Sequence, residues 1–163
     1  MVAKLQDLFD CRAPVNVRSL HEVMAYTFNE GNLVVPDDWR DESMNIFKAP
    51  VDAGYNLVMS RERIPRSIDP GMHLEAQRKV IEENLMGFHE HERRSLALDG
   101  QTCVWLDYSW QSPEGPMHQI NVMRVVGDTL LSFTFTSARR ITAAQRDLFR
   151  TILESYSEPR RAA

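Results

Sequence analysis

The sequence predicts an α+β fold, an antiparallel sheet covered by helices. Strand-type stretches are joined by tight-turn dipeptides, and such hairpins can connect only antiparallel neighbours. Two segments instead carry helical apolar spacing with their own start signals. The length of 163 residues, 43% hydrophobic and 26% charged, suffices for one core. A single domain over 24–163, preceded by an extension over 1–23, is the expected organisation.

The extension opens with Leu5, Leu8 and Phe9 at helical spacing until Pro14 intervenes, and Ser19 to Glu22 has capping-box spacing. One or two short helices are expected there, and Met24 is an alternative start. From Ala25 the texture turns to strands. Tyr26 to Phe28 and Leu33 to Val35 flank a turn at Asn29-Glu30-Gly31-Asn32, and Pro36 to Trp39 makes a second turn. Met44 to Lys48 and Tyr55 to Arg61 read as strands, separated by a loop with Pro50 and Gly54. Asp69-Pro70 starts a helix, with aspartate as cap and proline at the first helical position. It runs to about Leu85, and Gly87 supplies the stop.

Next come Arg93 to Leu98 and Gln101 to Trp110, joined by Asp99-Gly100. Pro113 to Pro116 breaks the chain, and Met117 to Val126 then turns through Gly127-Asp128 into Thr129 to Thr136. Thr142 and Gln145 form a capping box for a last helix with Leu148, Phe149, Ile152, Leu153 and Tyr156 as its apolar face. The tail from Pro159 is expected to fray.

Composition excludes several classes of function. With 19 basic and 23 acidic residues the formal charge is −4, and no basic stripe suggests nucleic acid. No run approaches the ~18 apolar residues of a membrane span. The first ten residues do not resemble a secretory signal, so a cytoplasmic location is expected. Cys11 and Cys103 imply no disulfide framework.

Sites of chemistry are sparse. Neither a phosphate-binding glycine loop nor a nucleophile elbow is present. His89 and His91 share a strand face, half of a metal site, but no third ligand lies at sensible spacing. Two exposed strand histidines are the plainer reading. Cys103 reads as a small core residue and Asp107 as a structural carboxylate rather than a general base. A hydrolase using His89, His91 or Asp107 is disfavoured, and no cofactor is implied.

Two glutamines are oddly placed. Gln77 falls among Leu74, Ile81 and Leu85 on the first long helix. Gln119 shares a strand face with Met117, Asn121, Met123 and Val125, opposite His118, Ile120, Val122, Arg124 and Val126. Either they are satisfied core amides, or they belong to a binding surface where amides fix a partner among adaptable methionines.

Longer blocks carry a family resemblance. Asn29-Glu30-Gly31, the run from Leu33 through Pro36-Asp37-Asp38-Trp39-Arg40-Asp41-Glu42-Ser43-Met44-Asn45-Ile46-Phe47-Lys48, and Asn56 to Arg61 resemble the opening of the effector-associated (Eag) chaperones of type VI secretion. Gln77 before Leu85-Met86-Gly87-Phe88, the strand from Gly100 to Gln111, and His118-Gln119 keep the family order, so the likeness spans about Ala25 to Tyr156.

The resemblance implies a fold similar to the Mog1/PsbP-like group and a non-enzymatic, cytoplasmic homodimer that does not itself insert into membranes. It would bind N-terminal transmembrane-type helices of a membrane-active effector and help load that effector onto the secretion spike. It implies Met44, Ile46, Gln77 and Gln119 as client-binding residues, with Phe47 in the core. The alternative is an interaction module of the same fold with another partner.

Overall fold

Period-two alternation of apolar residues builds the sheets, and Asp99-Gly100 and Gly127-Asp128 close two of their turns. The computed structural model describes residues 23–50 and 53–158. The expected helices around Leu5 and Ser19 and the tail from Pro159 lie outside the described residues.

Contacts divide the chain into two units, 1–41 and 42–163. In the first, β1 (Val23–Phe28) and β2 (Gly31–Pro36) form an antiparallel hairpin. Phe28 pairs with Gly31, so the turn is only Asn29-Glu30, shorter than the four residues expected.

The second unit holds β3 (Asn45–Lys48), β4 (Tyr55–Arg63), α1 (Pro70–Asn84), β5 (His89–Leu98), β6 (Gln101–Ser112), β7 (Gly115–Val126), β8 (Thr129–Ser137) and α2 (Ala143–Glu154). Its strands make one antiparallel sheet in the order β3-β4-β8-β7-β6-β5. Three successive hairpins return the chain from the β5 edge to β8, beside β4. At the first of them Asp99 and Gly100 both have positive φ, 42° and 78°, as a two-residue turn of that hand requires. The expected break at Pro113 to Pro116 is a tight turn, with β7 already begun at Gly115.

One sheet face and α2 enclose the core. Leu96, Leu98, Cys103, Trp105, Ile120, Val122, Phe133 and Phe135 pack with Ile141, Phe149 and Leu153. The Phe149 ring lies 5.4 Å from Trp105 and 5.3 Å from Phe135 between ring centres. Burial raises the Cys103 thiol above its ordinary pKa, which suits the core role expected of it.

The helix starts match expectation. Asp69 caps α1 through Met72 N–H, and Thr142 and Gln145 make the reciprocal capping box of α2. Two expectations are corrected. Leu148 and Ile152 are exposed, so Phe149 and Leu153 are the buried stripe of α2. Phe47 does point to the core side, opposite Leu57, yet is 57% exposed, because β3 is a four-residue edge strand and Phe47 lines an open apolar cavity with Leu148 and Ile152 of α2.

Candidate functional site

The sheet face turned away from α2 carries two of the side chains that the sequence singled out, Ile46 and Gln119. Register sets them in rows across the strands. One row runs Ile46, Val58, Thr134, Asn121 and Leu106, each paired with the next. The neighbouring row runs Lys48, Asn56, Thr136, Gln119 and Tyr108. From β3 to β7 there are three strand spacings, about 14 Å. That exceeds the diameter of one helix with its side chains, about 10–12 Å.

The β3 end of this face is apolar and open, with Ile46 54% and Met44 60% exposed. Its backbone is fixed by Arg61, whose Nη1 donates to Ser43 O at 3.1 Å, Ser43 Oγ at 2.9 Å and Asn45 Oδ1 at 2.9 Å. Asn45 and Arg61 point to the core side, so strand alternation turns Ile46 outward.

Amides and hydroxyls line the β7 end. Gln119 Oε1 accepts from Tyr108 Oη at 3.0 Å and Trp110 Nε1 at 2.8 Å, while its Nε2 donates to Thr136 Oγ1 at 3.0 Å. Burial pushes the Tyr108 phenol well above its ordinary pKa, keeping the donated proton in place. Asn121 Nδ2 donates to Ser132 Oγ at 2.8 Å and Thr134 Oγ1 at 2.9 Å. Asn56 Oδ1 is buried without a hydrogen-bond partner.

Gln77 is placed differently. It sits on α1, and its Nε2 donates to Glu62 Oε1 at 3.0 Å, an oxygen that also meets His73 Nε2 at 3.0 Å. Glu62 lies four residues beyond Val58 on the same side of β4, so Gln77 marks one end of the face rather than its middle.

A second cluster was only half visible in the sequence. His91 lies beside Asp107 and His118, with potential ligand atoms of all three within 4.8 Å of one another. The partners that His91 lacked in sequence come from β6 and β7. Asp107, 0% exposed, receives Arg146 Nε at 2.6 Å on one oxygen and meets His118 Nε2 at 2.5 Å on the other. Ile141 N–H donates to His118 Nδ1 at 3.0 Å. That bond assigns the Nδ1 lone pair to the backbone and the proton to Nε2, facing Asp107. His118 therefore offers a metal no free lone pair, and the trio works as a structural tie from β6 and β7 to the start of α2. Burial alone would raise the Asp107 pKa, but the hydrogen bonds from His118 and Arg146 bring it below the usual aspartate value.

No helix among the described residues is long and apolar enough to cross a membrane. The DcrB family model matches residues 30–155. Over 89 residues the chain is 34% identical to Effector EagT6 of Pseudomonas aeruginosa, a stretch covering 53% of this chain and 62% of that protein. The matched stretch is thus less than two thirds of that relative's length, and it agrees with the Eag resemblance read from the sequence. The crystal structure of PA94, a Pseudomonas aeruginosa protein of unknown function, is similar with a TM-score of 0.69 at 26% identity, over 86% of this chain and 99% of that one. Cyanobacterial PsbP (CyanoP) from Synechocystis is a looser likeness, with a TM-score of 0.40 at 11% identity over 82% and 88% of the two chains. With the family model matched along most of its length, the chain belongs to the DcrB family.

Proposed function

We propose that this protein is a chaperone-adaptor of type VI secretion. It shields N-terminal transmembrane-type helices of a cognate effector in the cytoplasm, without catalysis, and as a homodimer helps bring that effector to the secretion spike. The observation carrying this reading is the sheet face turned away from α2, exposed at Ile46 and half-buried at Gln119, with about 14 Å between their strands. A helix laid along it touches apolar side chains on one flank and amides on the other.

The energetics fit such a client. A segment of ~20 apolar residues loses ~1.5–3 kcal/mol for each large side chain left in water, so even partial cover matters. A helix satisfies its own backbone, so the face need supply only apolar contact and a few polar groups. Helices rich in small residues allow close approach, where amides meet backbone carbonyls. Met44 and Ile46 are the apolar contacts in this reading, Gln119 the central amide and Gln77 the terminal one.

The test is co-expression of the full chain with the N-terminal apolar fragment of the effector encoded beside it. The fragment should stay soluble without detergent and co-purify. A fragment equally soluble without this protein, or one that does not bind it, would refute the reading.

A further inference from the structure

Outside the proposed client face, a cavity of about 370 Å³ opens beside the Asp107–His118 tie. Its wall carries His91, Ser109, His118, Arg139 and Arg140. The charges are unbalanced. Among the described residues no carboxylate lines the cavity; Asp107, buried behind His118, has both of its oxygens already taken, by Arg146 and His118. Arg139 and Arg140 are exposed, and among the described residues neither side chain has a carboxylate partner. This concentration of cations stands in a chain whose formal charge is −4.

His91 registers the local field. It stands 3.0 Å from Ser109 Oγ through Nε2, and its ring centre is 4.8 Å from that of His118 and 4.9 Å from that of His89. Burial holds its pKa below the ordinary histidine value, with His118, His89 and Arg140 acting in the same direction and Asp107 against it. A divalent cation is poorly served here, because the His118 lone pair is committed to Ile141 N–H and guanidinium groups line the wall. An anion is well served: two guanidiniums give forked donors, and the His91–Ser109 pair, bonded to each other, adds one free N–H or O–H.

We infer that this cavity is an oxyanion-binding site, in which Arg139 and Arg140 grip a carboxylate or phosphate group and His91 and Ser109 complete its hydrogen bonds. The group can belong to a free anion or to an acidic side chain, and the donors are the same for both. The buried Asp107–His118–Arg146 tie is the rigid floor that holds β6, β7 and the start of α2 around it.

The test follows the histidine side chains of the full chain by NMR at constant ionic strength, during titration with inorganic phosphate and, separately, with N-acetylglutamate. Saturable shifts of His91 are expected with at least one, and the better ligand identifies the source. The bound anion should raise the His91 titration midpoint, since its negative charge favours the protonated ring in the same sense as Asp107. Replacing Arg139→Ala and Arg140→Ala together should weaken binding about tenfold or more, with melting unchanged because neither side chain has an ion partner among the described residues. Saturation by neither anion, or equal binding by the double variant, would overturn the assignment. So would zinc binding that requires His91 and displaces the anion.

Discussion

Gln119 shows how much one side chain's surroundings decide. Sequence periodicity put Gln119 on a partly apolar strand face and Gln77 on a partly apolar helix face, and for both the choice between core amide and binding amide stayed open. The two prove unlike. Gln119 satisfies two ring donors and one hydroxyl, whereas Gln77 makes a single exposed bond to Glu62. Replacing Gln119→Ala strands Tyr108 Oη and Trp110 Nε1, so a loss of about 1–3 kcal/mol is expected in denaturant melts. Gln77→Ala should stay within about 0.5 kcal/mol of the parent. Asp107 supplies a pH test. Its native pKa lies below the unfolded value of about 3.9, so its contribution is complete above that value and is lost as pH falls through the lowered native one. Melts across acid pH should show this decline, and Asp107→Asn should flatten it. Asp107→Ala leaves Arg146 and His118 unpaired and should cost about 3–5 kcal/mol. The structural role of Asp107 was legible in sequence, but its partners were not, because they lie 11 and 39 positions away.

Elements with local start and stop signals were the legible ones. Asp69-Pro70, Thr142 with Gln145, and Asp99-Gly100 act within a few residues of themselves, and each ends or begins an element where expected. Thr142→Ala should lower stability by about 1 kcal/mol in a thermal melt, through loss of the cap. Features set by distant neighbours were harder to read. The apolar pattern of α2 included Leu148 and Ile152, but their exposure depends on how far the short β3 edge extends beneath them. Together with Phe47, Tyr55, Leu57 and Phe135 they line an open apolar cavity of about 390 Å³. From sequence Phe47→Asp should unfold the protein. With Phe47 more than half exposed at that rim, the variant should instead fold with only a modest loss in melting. Near-complete unfolding by circular dichroism would show that the β3 edge is more deeply packed than its accessibility indicates.

At the scale of the whole molecule, sheet order makes the candidate site. Ile46 and Gln119 are 73 positions apart, and neither spacing nor composition could join them. Pairing β4 with both β3 and β8 brings them within three strands on one face. Only the family resemblance named both in advance, and it gave no register. The central claim is that this face holds a transmembrane-type helix, and the most direct measurement places a carboxylate at its apolar end. Met44→Asp with Ile46→Asp puts charges where water reaches them in the free protein, so the variant should fold and melt close to the parent. A docked apolar helix would strip that water, at a cost of several kcal/mol. The measurement is detergent-free co-purification of the effector's N-terminal fragment with the parent and with this double variant. The account predicts a soluble complex with the parent and none with the folded variant; an equal yield of complex with both would contradict it.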